Sequence, residues 1–189
     1  MTPISFLLCN YNALKYFRFC YESLRRNLDS RHEIVLLDDG SSDGSAQWLH
    51  SLGDPHAVVH CSPENVGIAY SYNTAADLAS NEHICVLHTD MYVPPGFDAA
   101  VMRGMERFDF LAAYRAEPSV YPPSVDKASA DFGERLEDFN EAGFLAWNRE
   151  NETRNAGRTF PALFFPWMTT KTLFRRVGGV DLLFLKYMV

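Results

Sequence analysis

Basic residues are in short supply in this chain: 17 Lys and Arg stand against 24 Asp and Glu, a formal net charge of −7 with a pI near 5.3. That balance excludes a general nucleic-acid binder, which needs a cationic footprint. Cysteine is scarce and scattered as Cys9, Cys20, Cys61 and Cys85, with no CxxC pair. Such spacing suggests neither a zinc site nor a disulfide framework, and a reduced, intracellular protein fits it best. No apolar run approaches the roughly 18 residues of a membrane span. The opening MTPISFLLCNYN has no basic segment ahead of its short apolar stretch, so no leader is read there. The expectation is a cytoplasmic protein without a transmembrane segment, with peripheral membrane contact left open.

What the chain does have is alternation. Its 189 residues, 47% hydrophobic, are enough for one sizeable core, and the length favours one domain. Ile4 to Leu8 is a short apolar run, after which Leu14, Phe17, Tyr21, Leu24 and Leu28 recur at helical steps. Ile34 to Leu37 reads as a second strand, and Ala46, Leu49 and Leu52 mark a helix that Ser42 or Asp43 is placed to cap. Val58 and Val59 make a short third strand, and Ile68, Tyr72, Ala75 and Ala79 stripe a third helix. HICVLH forms a fourth strand before a helix carrying Phe97, Val101, Met105 and Phe108. Strands alternating with helices imply an α/β fold with parallel pairing and helices on both faces. In such sheets ligands lie outside the carboxyl ends of the strands.

That geometry bears on EIVLLDDGSSDGS, where Asp38 and Asp39 close an otherwise aliphatic strand. Either carboxylate is able to serve the turn that follows, but one cap suffices for one helix, so a ligand role is expected for at least one. Three more loops reach the same edge: CNYN after the first strand, SPENVG after the third and HTDMYVPP after the fourth. Tyr11, Asp39, Asn65 and Asp90 thereby converge on one rim. Each has a plainer reading alone, Tyr11 as a half-buried aromatic and the others as turn residues.

The ordered set ISFLLCNYN, EIVLLDDGSSDGS, ENVGIAYSYNTAADLA and HTDMYVPPGF resembles the family 2 glycosyltransferases of GT-A fold, and FFPWMTTKTLFRRVGGVD resembles their acceptor-side segment. The resemblance covers residues 4 to 108 and 162 to 184; residues 112 to 161 have no counterpart. It implies one GT-A domain over 1–189, with a Rossmann-like, mostly parallel sheet. Residues 1–110 would form the nucleotide-sugar-binding half and 111–189 an acceptor-side half cut short at its end. Tyr11 would pack on the nucleobase beside the backbone of Cys9 and Asn10, and Asp39 would accept a hydrogen bond from a base N–H. Gly67, in the loop from Asn65, would let backbone approach the nucleotide. Asp90 matches the last acid of the family's DxD motif, which holds Mg2+ or Mn2+ on the diphosphate.

Two departures stand out. His88 takes the place of the first acid, giving His88-Thr89-Asp90, so Asp90 is the remaining carboxylate for a metal. His88 is open to three readings: a contact to the ribose, a metal ligand, or a structural histidine. The acidic pair that supplies the family's general base would follow GGVD, about where the chain stops at Val189. The base is therefore expected beyond Val189, with Asp181 the candidate within the chain. In the middle segment Tyr121 and Trp147, and later Trp167, are candidate sugar platforms, since aromatic faces pack on pyranose rings; filling a small apolar cluster is the plainer alternative.

The resulting expectation is an inverting, metal-dependent transfer of a sugar from a nucleotide-diphospho-sugar, UDP-linked by family pattern, to a saccharide or lipid-linked acceptor. The alternative is a catalytically weak or inactive domain that binds the nucleotide sugar. A sugar nucleotidyltransferase is disfavoured because no Gly-rich loop with Lys or Arg follows the first strand.

Overall fold

The computed structural model describes residues 2–118, 120–125, 127–159, 161 and 165–182. Two compact units emerge, one holding residues up to Leu111 and those from Phe165 on, the other Ala112–Phe164. The stretch from Phe165, which chain order alone assigns to the second half, belongs with the first unit.

In the first unit the elements are β1 (Ile4–Asn10), α1 (Leu14–Asn27), β2 (Glu33–Asp38), α2 (Ser45–His50), β3 (Ala57–Cys61), α3 (Ile68–Leu78), β4 (His83–Leu87), α4 (Phe97–Met105) and β5 (Phe110–Ala112). The periodicities of the sequence are met closely, because each apolar stripe has a sheet face to cover. The second unit holds β6 (Arg115–Glu117), β7 (Lys127–Ser129), a 3-10 turn at Leu136–Asp138 and α5 (Glu141–Arg154). After it, β8 (Trp167–Thr170) and α6 (Lys171–Arg176) return to the first.

The main sheet has the order β3-β2-β1-β4-β8-β5. β1 pairs in parallel with β2 and with β4, and β2 with β3, whereas β8 runs antiparallel to β4. β1 and β2 are buried on both faces, which accounts for their unbroken aliphatic runs. Phe17, Cys20 and Leu24 of α1, Leu49 of α2 and Val101 of α4 pack with Ile4, Phe6, Leu8 and Leu36 on one face. Tyr72, Ala75 and Ala76 of α3 and Phe174 of α6 pack with Leu7, Val35, Leu37 and Val86 on the other.

At the amino edge of the sheet a buried polar pair holds the start of β1. His32 Nδ1 accepts the Ile4 N–H at 3.1 Å, and its Nε2 lies 3.0 Å from Asp98 Oδ2 at the start of α4. Because Nδ1 accepts, the ring proton sits on Nε2 and is donated to Asp98. No helix among the described residues is long and apolar enough to cross a membrane.

Candidate functional site

The register puts Asn10 beside Asp38, Asp38 beside Cys61, and Leu8 beside Leu87, so β1 to β4 end at one edge. The loops bearing Tyr11, Asp39, Asn65 and Asp90 therefore do leave from the same rim.

Three of these loops are laced together. Asn10 Nδ2 donates to Asp38 Oδ1 at 3.0 Å and to Ser45 Oγ at 2.9 Å, while Asp38 Oδ2 accepts the Ser41 N–H. Asp38 is thus 1% exposed and structural, and it ties β1 to the turn after β2 rather than capping a helix. Asn12, in left-handed backbone with φ 51°, gives its N–H to Ser41 Oγ and accepts the Ser42 N–H on Oδ1. Asp43 takes the Leu14 N–H on one oxygen and the Ser45 N–H on the other, serving the first turns of both α1 and α2. The N-cap of α2 is Gly44 rather than the expected Ser42 or Asp43, with no side-chain cap hydrogen bond, and Asp43 acts from one residue before it.

Asp39 is 4% exposed and its carboxylate accepts Val66 N–H at 2.9 Å and Gly67 N–H at 3.0 Å. A charge buried at a strand end is costly unless matched, and here two backbone donors match it, the usual condition for burying a carboxylate. Gly40 explains how the third loop comes so close. A Cβ there would fall 2.4 Å from the Glu64 carbonyl carbon and 2.7 Å from the Asn65 nitrogen, and φ is +71°. Gly67, at φ 95° and ψ 156°, sits in a backbone region that glycine alone adopts cheaply. Asn65 is exposed, and so is Tyr11, with 53% of its surface open.

The fourth loop hangs from α1 instead. Cys20 Sγ donates to the His88 carbonyl, Ser23 Oγ accepts the Val93 N–H, and Asn27 Nδ2 donates to the Val93 carbonyl at 2.7 Å. His88 packs its ring 4.1 Å from that of Phe165, which stacks on Tyr72. Burial pushes the His88 imidazole below its ordinary pKa, against the pull of the Asp90 charge, so the ring stays neutral at pH 7. Thr89 is half-buried and Asp90 exposed. Burial, and after it the Asp39 charge, pushes the Cys9 thiol well above its usual range.

No three His, Cys, Asp or Glu side chains stand together as a metal cage among the described residues. A divalent ion held by the exposed Asp90 would thus need most of its oxygens from a ligand and water. That suits Mg2+ or Mn2+, which are bound through one or two carboxylates plus phosphate oxygens.

The other candidates are placed as follows. Trp167, opposite Val86 in β8, stacks against Phe110 at 5.5 Å and Phe174 at 5.9 Å and is half-buried. Asp181 is exposed, directly after Val180. In the second unit Trp147 packs with Phe132 and Phe144, the apolar cluster that was its plainer reading, while Tyr121 is exposed with the Lys127 ammonium 5.5 Å from its ring. Residues 183–189, on which the expectation of a base past the chain's end bears, lie outside the described residues. The lacing by Asn12, Ser41, Ser42 and Asp43 was not read from the sequence, although Ser, Asn and Asp between elements carry that capacity.

A largely parallel sheet with four loops leaving its carboxyl edge and an inserted antiparallel strand is the GT-A arrangement of sugar-transferring enzymes. S. aureus TarS in complex with UDP-GlcNAc superposes with a TM-score of 0.64 over 93% of this chain and 47% of its own, at 17% identity. The family profile of glycosyl transferase family 2 matches residues 5–177, and the chain belongs to that family. Bacillus subtilis EpsH is 31% identical over 122 residues, 61% of this chain and 35% of EpsH. The chondroitin synthase of Escherichia coli is 31% identical over 93 residues, 49% of this chain and 14% of the synthase. The chain thus spans about a third of EpsH and about half of the 1–349 segment of TarS.

Proposed function

We propose that this chain moves a sugar from a nucleotide-diphospho-sugar, UDP-linked, to a saccharide acceptor, free or carried on a lipid, with inversion at the transferred carbon. The observation that carries the reading is the set of three loops fastened around Asp39 at the carboxyl edge. A rim held by its own hydrogen bonds is preorganised for a ligand and loses little order when one binds. The relatives agree in kind, since TarS is described with UDP-GlcNAc and chondroitin synthase is named for a polysaccharide product.

In this reading Tyr11 covers the base, Asp39 accepts its N–H, and the backbone of Cys9, Asn10 and Gly67 approaches the nucleotide. Asp90, with His88 and Thr89 beside it, faces the diphosphate. Mg2+ or Mn2+ on Asp90 would offset the charge that develops on the departing diphosphate. Asp181 is the candidate, among the described residues, to take the acceptor hydroxyl's proton. A second reading, donor binding without transfer, draws on His88 in place of an acid.

Calorimetry with UDP, with and without Mn2+, followed by donor hydrolysis over a panel of UDP-sugars, tests both. Binding with turnover supports transfer, binding without turnover favours the second reading, and no UDP binding in either condition overturns both.

A further inference from the structure

One face of α3 carries a ladder of contacts to the segment after β8. Asp77 Oδ1 accepts from Arg175 Nη2 at 2.9 Å, and four residues nearer the helix start Asn73 bonds the backbone of Val180. The two strings run in opposite directions: as α3 is followed back from 77 to 73, the partner advances from 175 to 180. The next residue of this face, three positions earlier, is Tyr70, in the first turn of α3. Helical side chains lean toward the amino end, which here is the rim.

Extended by one step, the ladder points from Tyr70 toward the turn that follows Val180. Tyr70 is 51% exposed and Leu182 50%, and Asp181 is exposed between Val180 and Leu182. The neighbouring Ala69, Ser71 and Tyr72 are buried against the sheet, so α3 spends its other aromatic on the core and turns this one out.

We infer that Tyr70, with the 180–182 turn, forms a platform for the pyranose ring of the acceptor saccharide. A sugar ring has an apolar C–H face and a rim of hydroxyls. The first fits an exposed aromatic face and the second an adjacent carboxylate. The inference rests on the glycosyl-transfer reading for the word acceptor, but not for the binding of sugar. Tyr70 is a binding residue in this scheme and takes no proton.

Saturation-transfer NMR with the methyl glycosides of glucose, galactose, mannose and N-acetylglucosamine, with and without UDP, reads the contact directly. At least one glycoside should receive saturation at its ring C–H protons, falling about fivefold in Tyr70→Ala and kept in Tyr70→Phe. Wild-type signal in Tyr70→Ala, or no signal from any glycoside in the wild type, overturns the platform. Calorimetry with UDP on Tyr70→Ala should match wild type, and a tenfold loss there would move Tyr70 to the donor side and overturn it as well. Glycoside binding by a protein that fails to bind UDP would leave the platform standing and remove the transfer reading.

Discussion

Asn73 grips Val180 from both sides across 107 residues of chain: its amide nitrogen donates to the Val180 carbonyl and its amide oxygen accepts the Val180 N–H, each at 2.8 Å. A side-chain amide here does what a neighbouring strand would do, satisfying donor and acceptor of one residue together. Gly179 makes room for it, since a Cβ there would lie 2.4 Å from Asn73 Oδ1 and the backbone is left-handed at φ +73°.

Gly179→Ala should therefore cost on the order of 1–3 kcal/mol, from strain and displacement of the amide together. Asn73→Ala should cost a similar amount by stranding the Val180 groups. Thermal unfolding checks both, and the double variant should lose less than the sum because the clash needs the amide present.

Asp39→Ala removes the acceptor of two backbone N–H groups as well as the expected partner of a base. UDP affinity should fall at least about tenfold, and stability by on the order of 1–3 kcal/mol. Unchanged nucleotide affinity by calorimetry would sink the assignment of Asp39 to the base pocket.

Asp90→Ala should abolish the Mn2+-enhanced part of UDP binding while leaving uridine binding near wild type, because the base pocket proposed above lies on other loops. Titrations of UDP and of uridine, each with and without Mn2+, separate the two contributions. Full enhancement in the variant would shift the metal to His88 or to the ligand alone.

Asp54 is partly buried at 13% side-chain exposure, which raises its pKa, but the His56 N–H, the Tyr21 hydroxyl and the Arg25 guanidinium outweigh that and hold it below the ordinary value. A depressed folded pKa contributes stability above the unfolded value and loses it as pH falls through the folded one. Asp54→Asn should be less stable than wild type at pH 7, and the gap should narrow below about pH 4. Denaturant melts across pH 2.5 to 7 would show a constant gap if the carboxylate's charge were irrelevant.

Repeating patterns made the parallel core legible. Leu14, Phe17, Tyr21 and Leu24 mark one face of α1, and Ile34 to Leu37 can be little else but an interior strand. Asp38 and Asp39 announced an edge, yet their division of labour was hidden: adjacent carboxylates look alike in sequence, and only the path of residues 41 and 64–67 decides which amides each receives. The lacing through Asn12 and Asp43 escaped for the same reason, being set by loop backbone rather than by residue pattern. β8 was read as a segment and not as a strand, because WMTT is four residues long and its partner β4 lies more than eighty residues away.

That late strand has a consequence for synthesis on the ribosome. β8 lies between β4 and β5, so β5 emerges before the neighbour it needs, and the outer edge of β4 stays unpaired while residues 112–166 are being made. At about 5–20 residues per second this leaves the apolar HICVL edge open to other nascent chains for several seconds. A ribosome stalled before Trp167 would release an adhesive fragment, and slow codons in the 112–166 stretch would be expected to lower the yield of folded chain.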